Sequence, residues 1–130
     1  MASLLIVDDD ETILEVLYEL FSDGHLCHTA PTAEDALKQL TSHDYDVVIT
    51  DICMPGMSGE DLLGFIKVHR PKTPVLFISG SSGRQHAERL LTKGAFDYLL
   101  KPFPLEEIVQ RVARTLEHRR RLDPNSLCAN

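Results

Sequence analysis

The feature that most constrains the fold is a repeated switch between short apolar runs and segments with helical spacing. The runs are residues 4–7, 26–30, 46–50, 74–79 and 96–100. After each run, apolar residues recur three and four positions apart, as one face of an amphipathic helix requires. Ile13, Leu17 and Phe21 share such a face in the first segment. Five strand–helix units in succession predict a parallel sheet covered by helices on both faces, an α/β fold.

Residues typical of helix ends support this pattern. Thr32 precedes Asp35 by three residues and Ser58 precedes Asp61 by three, so each pair resembles a capping box with Asp in place of Glu. Gly94 follows the fourth helical segment, where a glycine commonly ends a helix. We therefore expect the second and third helices to begin just after Thr32 and Ser58.

Charged residues follow three of the apolar runs directly. Asp8 and Asp9 follow the first run, Asp51 the third and Lys101 the fifth. Right-handed crossovers bring the carboxyl ends of parallel strands to one edge of the sheet, where ligands of such folds bind. These four charges are therefore expected to meet at that edge. Three bare carboxylates repel one another, so the cluster calls for a counter-charge.

The charged edge predicts metal-assisted phosphoryl transfer. Mg²⁺, or Mn²⁺ in its place, suits a cluster of carboxylate oxygens. Beside the metal and Lys101, the carboxylate of Asp51 can attack a phosphoryl group as a nucleophile. Taken singly, each residue has a plainer interpretation: the first two acids could begin a helix, Asp51 could cap a turn, and Lys101 could end a strand in solvent. Their occurrence at three strand ends favours the site.

Composition excludes several other classes of protein. The 130 residues fit one domain, and 43% hydrophobic residues suffice for a core. No apolar run approaches the roughly 20 residues of a membrane span, and no basic leader is present, so we expect a cytoplasmic protein with no membrane partner. The net charge of −7 argues against direct binding of nucleic acid by this domain. The three cysteines, Cys27, Cys53 and Cys128, show no metal or disulfide spacing and are expected to be buried thiols.

Four stretches together resemble the receiver domain of two-component response regulators, the chemotaxis-receiver family. They are Leu4–Asp9, Asp51–Gly59, Ile78–Gly80 and Asp97–Phe103. The resemblance covers nearly the whole chain and implies a flavodoxin-like, doubly wound, five-stranded parallel sheet of order 2-1-3-4-5 with five helices. It also implies a phosphorylation-activated switch and not a turnover enzyme. The receiver is expected to span residues 3–121, and residues 122–130 to form a polar tail or the start of a linker.

The resemblance assigns the metal site and the phosphate acceptor. Asp51 would accept phosphate from a histidine kinase or a phosphotransfer protein. Asp9 would hold Mg²⁺ directly, and Asp8 mainly through water. Asp51 itself and the backbone carbonyl of Cys53 would complete the protein ligands.

The resemblance also assigns the groups that respond to the phosphate. Ser79 and Lys101 would contact the phosphoryl oxygens, and Lys101-Pro102 would be a cis peptide. Tyr98 would act with Ser79 as the switch that changes the surface of the fourth helix, fifth strand and fifth helix. A homodimer could form through that surface, and an output domain could follow residue 121.

Two residues are predicted to tune the lifetime of the phosphate, with simple space filling as the plainer alternative. The side chains of Cys53 and Ser81 would border the phosphoryl group. We expect Cys53→Asn or Ser81→Glu to change the rate of dephosphorylation, and unchanged rates in both variants would remove the idea.

Other functions remain open from the sequence. The chain could be a stand-alone phosphorelay intermediate or a receiver-like interaction module instead of the regulatory part of a larger transcription regulator or enzyme. A phosphatase that forms an aspartyl phosphate usually carries a second acid two residues after the nucleophile, where this chain has Cys53. A flavin carrier of the same topology would need N–H donors and hydroxyls where the first loop is acidic.

Overall fold

A computed structural model describes residues 1–80 and 83–122 of the chain. Five strands alternate with five helices. In chain order they are β1 (Ser3–Val7), α1 (Glu11–Ser22), β2 (Leu26–Ala30), α2 (Ala33–Ser42), β3 (Val47–Asp51), α3 (Gly59–His69), β4 (Val75–Ser79), α4 (Gly83–Thr92), β5 (Asp97–Leu100) and α5 (Leu105–Leu122). The predicted Ser81 and the tail after Leu122 lie outside the described residues, and the domain boundary at 121 stays a prediction.

The five strands form one parallel sheet in the order β2-β1-β3-β4-β5. The predicted flavodoxin-like, doubly wound architecture is therefore confirmed. Because Asp51 still pairs in register with Ile78, it is the last residue of β3 and not the first residue after it. Ser79 pairs with Leu100, one residue before Lys101. The register thus brings the ends of β3, β4 and β5 to one edge.

Side chains alternate between the two faces of the sheet and form two cores. Leu5 and Val7 of β1 face one core, which is covered by α2, α3 and α4. Leu4 and Ile6 face the other, which is covered by α1 and α5. Both layers are needed because central parallel strands have no face to turn toward water. This packing holds the strand ends, and hence the charged residues, in fixed relative positions.

The predicted helix starts are confirmed. Ser58 Oγ accepts the backbone N–H of Asp61 at 3.1 Å, and the Asp61 carboxylate accepts the Ser58 N–H at 3.3 Å, which completes a capping box. Thr32 Oγ1 accepts the N–H of Asp35 at 3.0 Å. Gly94, after α4, has a φ of +108°, a conformation that favours glycine.

The remaining bulk features agree in part with the sequence. Cys27 is buried as expected, but Cys53 is exposed, and neither forms a disulfide. Within residues 1–80 and 83–122, no helix has the length and apolar character needed to cross a bilayer. Cys128 lies in the part of the chain that the structure does not describe.

Candidate phosphoryl-transfer site

Three carboxylates meet at the carboxyl edge of the sheet, as predicted. One oxygen each from Asp8, Asp9 and Asp51 lies within 4.8 Å of the other two. Asp8 is fully buried and Asp51 nearly so, while Asp9 is exposed to solvent. The buried pair follows from the ends of β1 and β3, which are neighbours in the sheet. Asp10 does not join this group: its carboxylate caps α1 by accepting the N–H of Thr12 at 2.9 Å.

Lys101 supplies the counter-charge. Its Nζ lies 3.1 Å from Asp8 Oδ2 and 3.6 Å from Asp51 Oδ2. Asp8 is also held by its other oxygen, which accepts the backbone N–H of Asp10 at 2.9 Å. The Lys101-Pro102 peptide is cis, as the resemblance implied. One ammonium thus faces two buried carboxylates, and the cluster keeps an excess of negative charge.

Burial and neighbouring charges change the acidity of the two buried acids. Burial raises the pKa of Asp51 above its ordinary value, and the charge of Asp8 raises it further, while Lys101 acts in the opposite direction. Burial also raises the pKa of Asp8, against the hydrogen bond from the Asp10 N–H and the contact with Lys101. Ionisation of these carboxyls is therefore costly in the absence of further positive charge.

The ammonium of Lys101 responds in the opposite sense. Burial is the largest single influence and lowers its pKa, but the hydrogen bond to Asp8 and the charges of Asp8 and Asp51 together raise the pKa above its ordinary value. Lys101 therefore stays charged at neutral pH and provides a fixed positive group beside Asp51.

The donor set fits a hard divalent cation. The oxygen cluster of Asp8, Asp9 and Asp51 offers the ligands that Mg²⁺ prefers, and the exposed Asp9 leaves one side open to the waters that Mg²⁺ retains. Burial is the main cause of the raised pKa values of Asp8 and Asp51, so their ionised forms lack the solvation that water would give them. Such a cation would supply the missing positive charge.

The structure also places the predicted switch residues. Ser79 is fully buried at the end of β4, and its carbonyl accepts the N–H of Lys101 at 2.7 Å, which fixes the start of the loop that carries the lysine. Tyr98 in β5 is partly buried against the core beneath α4, and its carbonyl accepts Nη1 of Arg111 at 2.9 Å. The roles of Ser79, Tyr98 and Cys53 stay predictions.

Two residues that support the site were missed by sequence reasoning. An ideal Cβ on Gly59 would lie 2.3 Å from the carbonyl oxygen of Asp51, so only glycine fits where α3 begins. Glu34 of α2 accepts the backbone N–H of Met57 at 3.1 Å and thereby holds the loop that follows Asp51. Gly59 could have been suspected from its place at a strand–helix turn, whereas nothing in the sequence singles out Glu34.

Comparison with known families settles the class of the domain. A family model described as the response regulator receiver domain matches residues 4–113. The chain belongs to the response regulator receiver domain family. Receiver domains bind Mg²⁺ at an acidic cluster such as the one described here, and they act in two-component systems with histidine kinases.

Individual relatives agree with this assignment. The chain is 39% identical over 123 residues to the DNA-binding transcriptional regulator NtrC of Proteus hauseri, which covers 93% of this chain and 26% of that protein. It therefore spans about a quarter of that relative's length. A crystal structure of a receiver domain protein from Clostridium thermocellum has a TM-score of 0.88 at 32% identity, covering 94% of this chain and 99% of that one.

A further solved structure bears on the ligands of the site. The response regulator TrrA from Thermotoga maritima, crystallised in complex with Mg²⁺ and BeF, has a TM-score of 0.79 at 33% identity. The match covers 88% of this chain and 99% of that one. TrrA thus resembles this receiver domain over most of its length.

Because the pKa of Asp51 is raised in the folded state, we expect Asp51→Asn to stabilise the metal-free receiver. The unfolded chain loses the Asp51 proton first, and the free energy of unfolding falls as pH rises through the folded-state pKa. We expect Asp51→Asn to add about 1 kcal/mol at pH 7, or roughly 3–5 °C in melting temperature. The gain should vanish below about pH 4, where the carboxyl is protonated in both states.

Thermal melts in a chelator, from acidic to neutral pH, measure this effect. Added Mg²⁺ should narrow the gap between the two proteins by stabilising the wild type. An Asp51→Asn protein that is less stable than the wild type at pH 7 without metal would show that the ionised Asp51 carboxylate does not destabilise the folded receiver.

Proposed function

We propose that this receiver domain is a phosphorylation-activated switch in which Asp51 accepts a phosphoryl group from a histidine kinase or phosphotransfer protein. The main support is the position of the Asp51 carboxylate, which lies 3.6 Å from the ammonium of Lys101 within an oxygen cluster suited to Mg²⁺. The donor is a phosphohistidine, because kinases of this class hand on phosphate from an imidazole. Small phosphodonors such as acetyl phosphate replace it in vitro.

The transfer has a simple balance of bonds and charges. A carboxylate oxygen of Asp51 forms a bond to phosphorus as the bond from phosphorus to the donor nitrogen or oxygen breaks, and the leaving group departs with the electron pair. Mg²⁺, held through Asp9, Asp51, the Cys53 carbonyl and waters ordered by Asp8, would offset the charge of the phosphoryl oxygens. Lys101 lies 3.6 Å from Asp51 and can pair with one of those oxygens.

The same groups make the domain a switch and not a turnover enzyme. The product, an acyl phosphate, stays on the protein until water hydrolyses it slowly. We propose that Ser79 moves toward the phosphoryl group and Tyr98 turns inward, which shifts an existing equilibrium between two states of the α4-β5-α5 surface. Tuning of the lifetime by Cys53 and Ser81 and a cytoplasmic location remain predictions.

The partners follow from this mechanism. A histidine kinase or phosphotransfer protein would dock over the edge that carries Asp51. An output domain C-terminal to residue 121 would read the α4-β5-α5 surface, as the DNA-binding function named for the NtrC relative suggests. Alternatively, a change in the α4-β5-α5 surface would act through formation of a homodimer across that surface. A stand-alone phosphorelay intermediate or a receiver-like interaction module is the alternative.

Intact mass after incubation with acetyl phosphate and Mg²⁺ tests the proposal. We expect the mass of one phosphoryl group on the wild type, and none after chelation of the metal or in Asp51→Asn. Asp44→Asn is a matched control. Asp44 is an exposed acid that is ion-paired with Arg70, and it precedes the start of β3, whereas Asp51 is at the end of that strand. This variant should gain phosphate like the wild type. A wild type that gains no phosphate, or an Asp51→Asn variant that gains as much phosphate as the wild type, would contradict the proposal.

A further inference from the structure

A continuous apolar surface lies between α1 and α5, on the side of the sheet away from α2, α3 and α4. Val16 of α1 is 39% exposed, and Val109 and Leu105 of α5 are 42% and 44% exposed. A groove of about 580 Å³ runs along the junction of the two helices and includes Val109 in its wall. Val16 and Leu105 line a neighbouring groove, and Leu105 precedes Val109 by one turn of α5, so the exposed apolar side chains follow one another along this face.

One stripe of α5 borders this face along its length, and we call it the α5 stripe. Its members are Glu106, Val109, Ala113, Leu116 and Arg120. Their spacings are three, four, three and four residues, so they line one side of the helix as contact residues of paired helices do. Leu116 is partly buried against the core beneath α1 and α5, and the other four are exposed. The stripe therefore carries an acid at one end, a base at the other and small or apolar side chains between.

This order is self-complementary about its centre. If two copies of α5 pack antiparallel about a two-fold axis at Ala113, Glu106 of each copy faces Arg120 of the other, and Val109 faces Leu116. The small side chain of Ala113 lets the helices approach where they cross. An isologous interface requires that kind of match, since each contact occurs twice. A parallel arrangement would instead place like charges opposite each other.

We propose that this α1–α5 face is the interface of a homodimer of this chain, formed by antiparallel packing of the α5 stripe with Leu20 of α1, which lines the same groove, at its margin. Charge complementarity selects a second copy as the occupant, because the partner must present a base opposite Glu106 and an acid opposite Arg120 at the same separation. The same helix in another copy meets that condition.

Arg120 combines an ion pair within the chain with an exposed side chain. Its Nη2 donates to Glu117 Oε2 at 2.6 Å, and Arg121 approaches the other oxygen of Glu117 at 3.6 Å. Half of the Arg120 side chain remains exposed. Because the guanidinium has several N–H donors, Arg120 can keep its contact with Glu117 while it binds Glu106 of the second copy.

The proposed interface differs from the surface expected to respond to phosphate. Arg111, on the β5 side of α5, is occupied within the chain by Asp97 at 3.0 Å and Glu107 at 3.3 Å. The α5 stripe lies on the other side of the helix, next to α1. The dimer therefore forms without phosphate, and it does not rest on the proposed function of Asp51.

Sedimentation equilibrium of the unphosphorylated chain, over roughly 1 µM to 1 mM protein, tests the proposal. We expect a monomer–dimer equilibrium with weak association, as a small interface gives. Glu106→Arg should weaken dimerisation at least roughly tenfold, because each dimer would then hold two pairs of like charges. Arg120→Glu should do the same, and the double variant should restore association to near the wild-type level.

Two controls keep the outcome specific. Lys38→Glu makes the same charge change as Arg120→Glu at an exposed position of α2, on the opposite face of the sheet, and should leave association unchanged. Asp51→Asn should dimerise like the wild type, so loss of the phosphoryl site and loss of the dimer are separate results. Thermal melts confirm that each variant folds. A wild type that stays monomeric throughout, or a double variant that stays as weak as its single variants, overturns the proposal.

Discussion

Replacement of Lys101 by alanine is expected to slow phosphorylation of Asp51 by acetyl phosphate about 100-fold or more. The ammonium of Lys101 lies 3.6 Å from Asp51, where it can neutralise the phosphoryl oxygens as the new bond forms. No other lysine or arginine among the described residues forms an ion pair with Asp8 or Asp51. The loss of a preorganised cation beside a buried reaction centre is therefore not compensated nearby.

The same variant should bind Mg²⁺ more tightly. Without Lys101, two buried carboxylates have no cation within hydrogen-bonding distance, so the metal meets a more negative site. A variant that binds Mg²⁺ more tightly but is phosphorylated more slowly would show that Lys101 acts in phosphoryl transfer and not by holding the metal. Lys101→Arg keeps the charge and should lose less activity. Intact-mass time courses measure the rate of phosphorylation, and calorimetry measures the affinity for Mg²⁺. Equal rates of phosphorylation in Lys101→Ala and the wild type would contradict the role assigned to Lys101.

Gly59→Ala is expected to destabilise the receiver by about 2–3 kcal/mol. The added methyl would lie 2.3 Å from the carbonyl oxygen of Asp51 and 2.9 Å from Phe77, and neither can move without disturbing β3 or β4. The N–H of Gly59 also donates to the Ile52 carbonyl at 2.8 Å, which ties the start of α3 to the end of β3. The substitution should therefore displace the backbone that carries the phosphate acceptor.

Gly64→Ala is the matched control in the same helix. An ideal Cβ on Gly64 meets no atom within 4 Å, so alanine should be neutral or stabilise the helix by up to about 1 kcal/mol. Urea unfolding of both variants measures the difference. A Gly59→Ala protein as stable as Gly64→Ala would show that the junction of β3 and α3 has room that the structure does not provide.

Much of this architecture could be predicted because it follows from periodicity and strand ends. The switch from apolar runs to helical spacing predicts the sheet, and the parallel sheet then brings Asp8, Asp51 and Lys101 to one edge. What could not be predicted depends on distances between backbone atoms. The lack of room for a Cβ on Gly59 beside the Asp51 carbonyl arises from the path of one turn, and the hydrogen bond from Met57 to Glu34 joins elements that no local pattern links.

The charge pattern of a single helix likewise does not predict which surface the helix presents to a partner. The basic residues Arg119, Arg120 and Arg121 lie in the last turn of α5, where the helix dipole favours them. The α5 stripe gains a neighbour only in the folded protein, where Leu20 of α1 lines the same groove. Such adjacency depends on how α1 and α5 pack over the same face of the sheet, which spacing along a single helix does not determine.

The most direct test of the central claim is to locate the phosphate in the chain. An acyl phosphate on aspartate is reduced by borohydride to homoserine, so treatment after incubation with acetyl phosphate and Mg²⁺ marks the residue that carried it. Tandem mass spectrometry of the peptides should find homoserine at position 51 and aspartate at positions 8 and 9. Homoserine at another acid, or none at position 51 in a protein that has gained phosphate, would contradict the account.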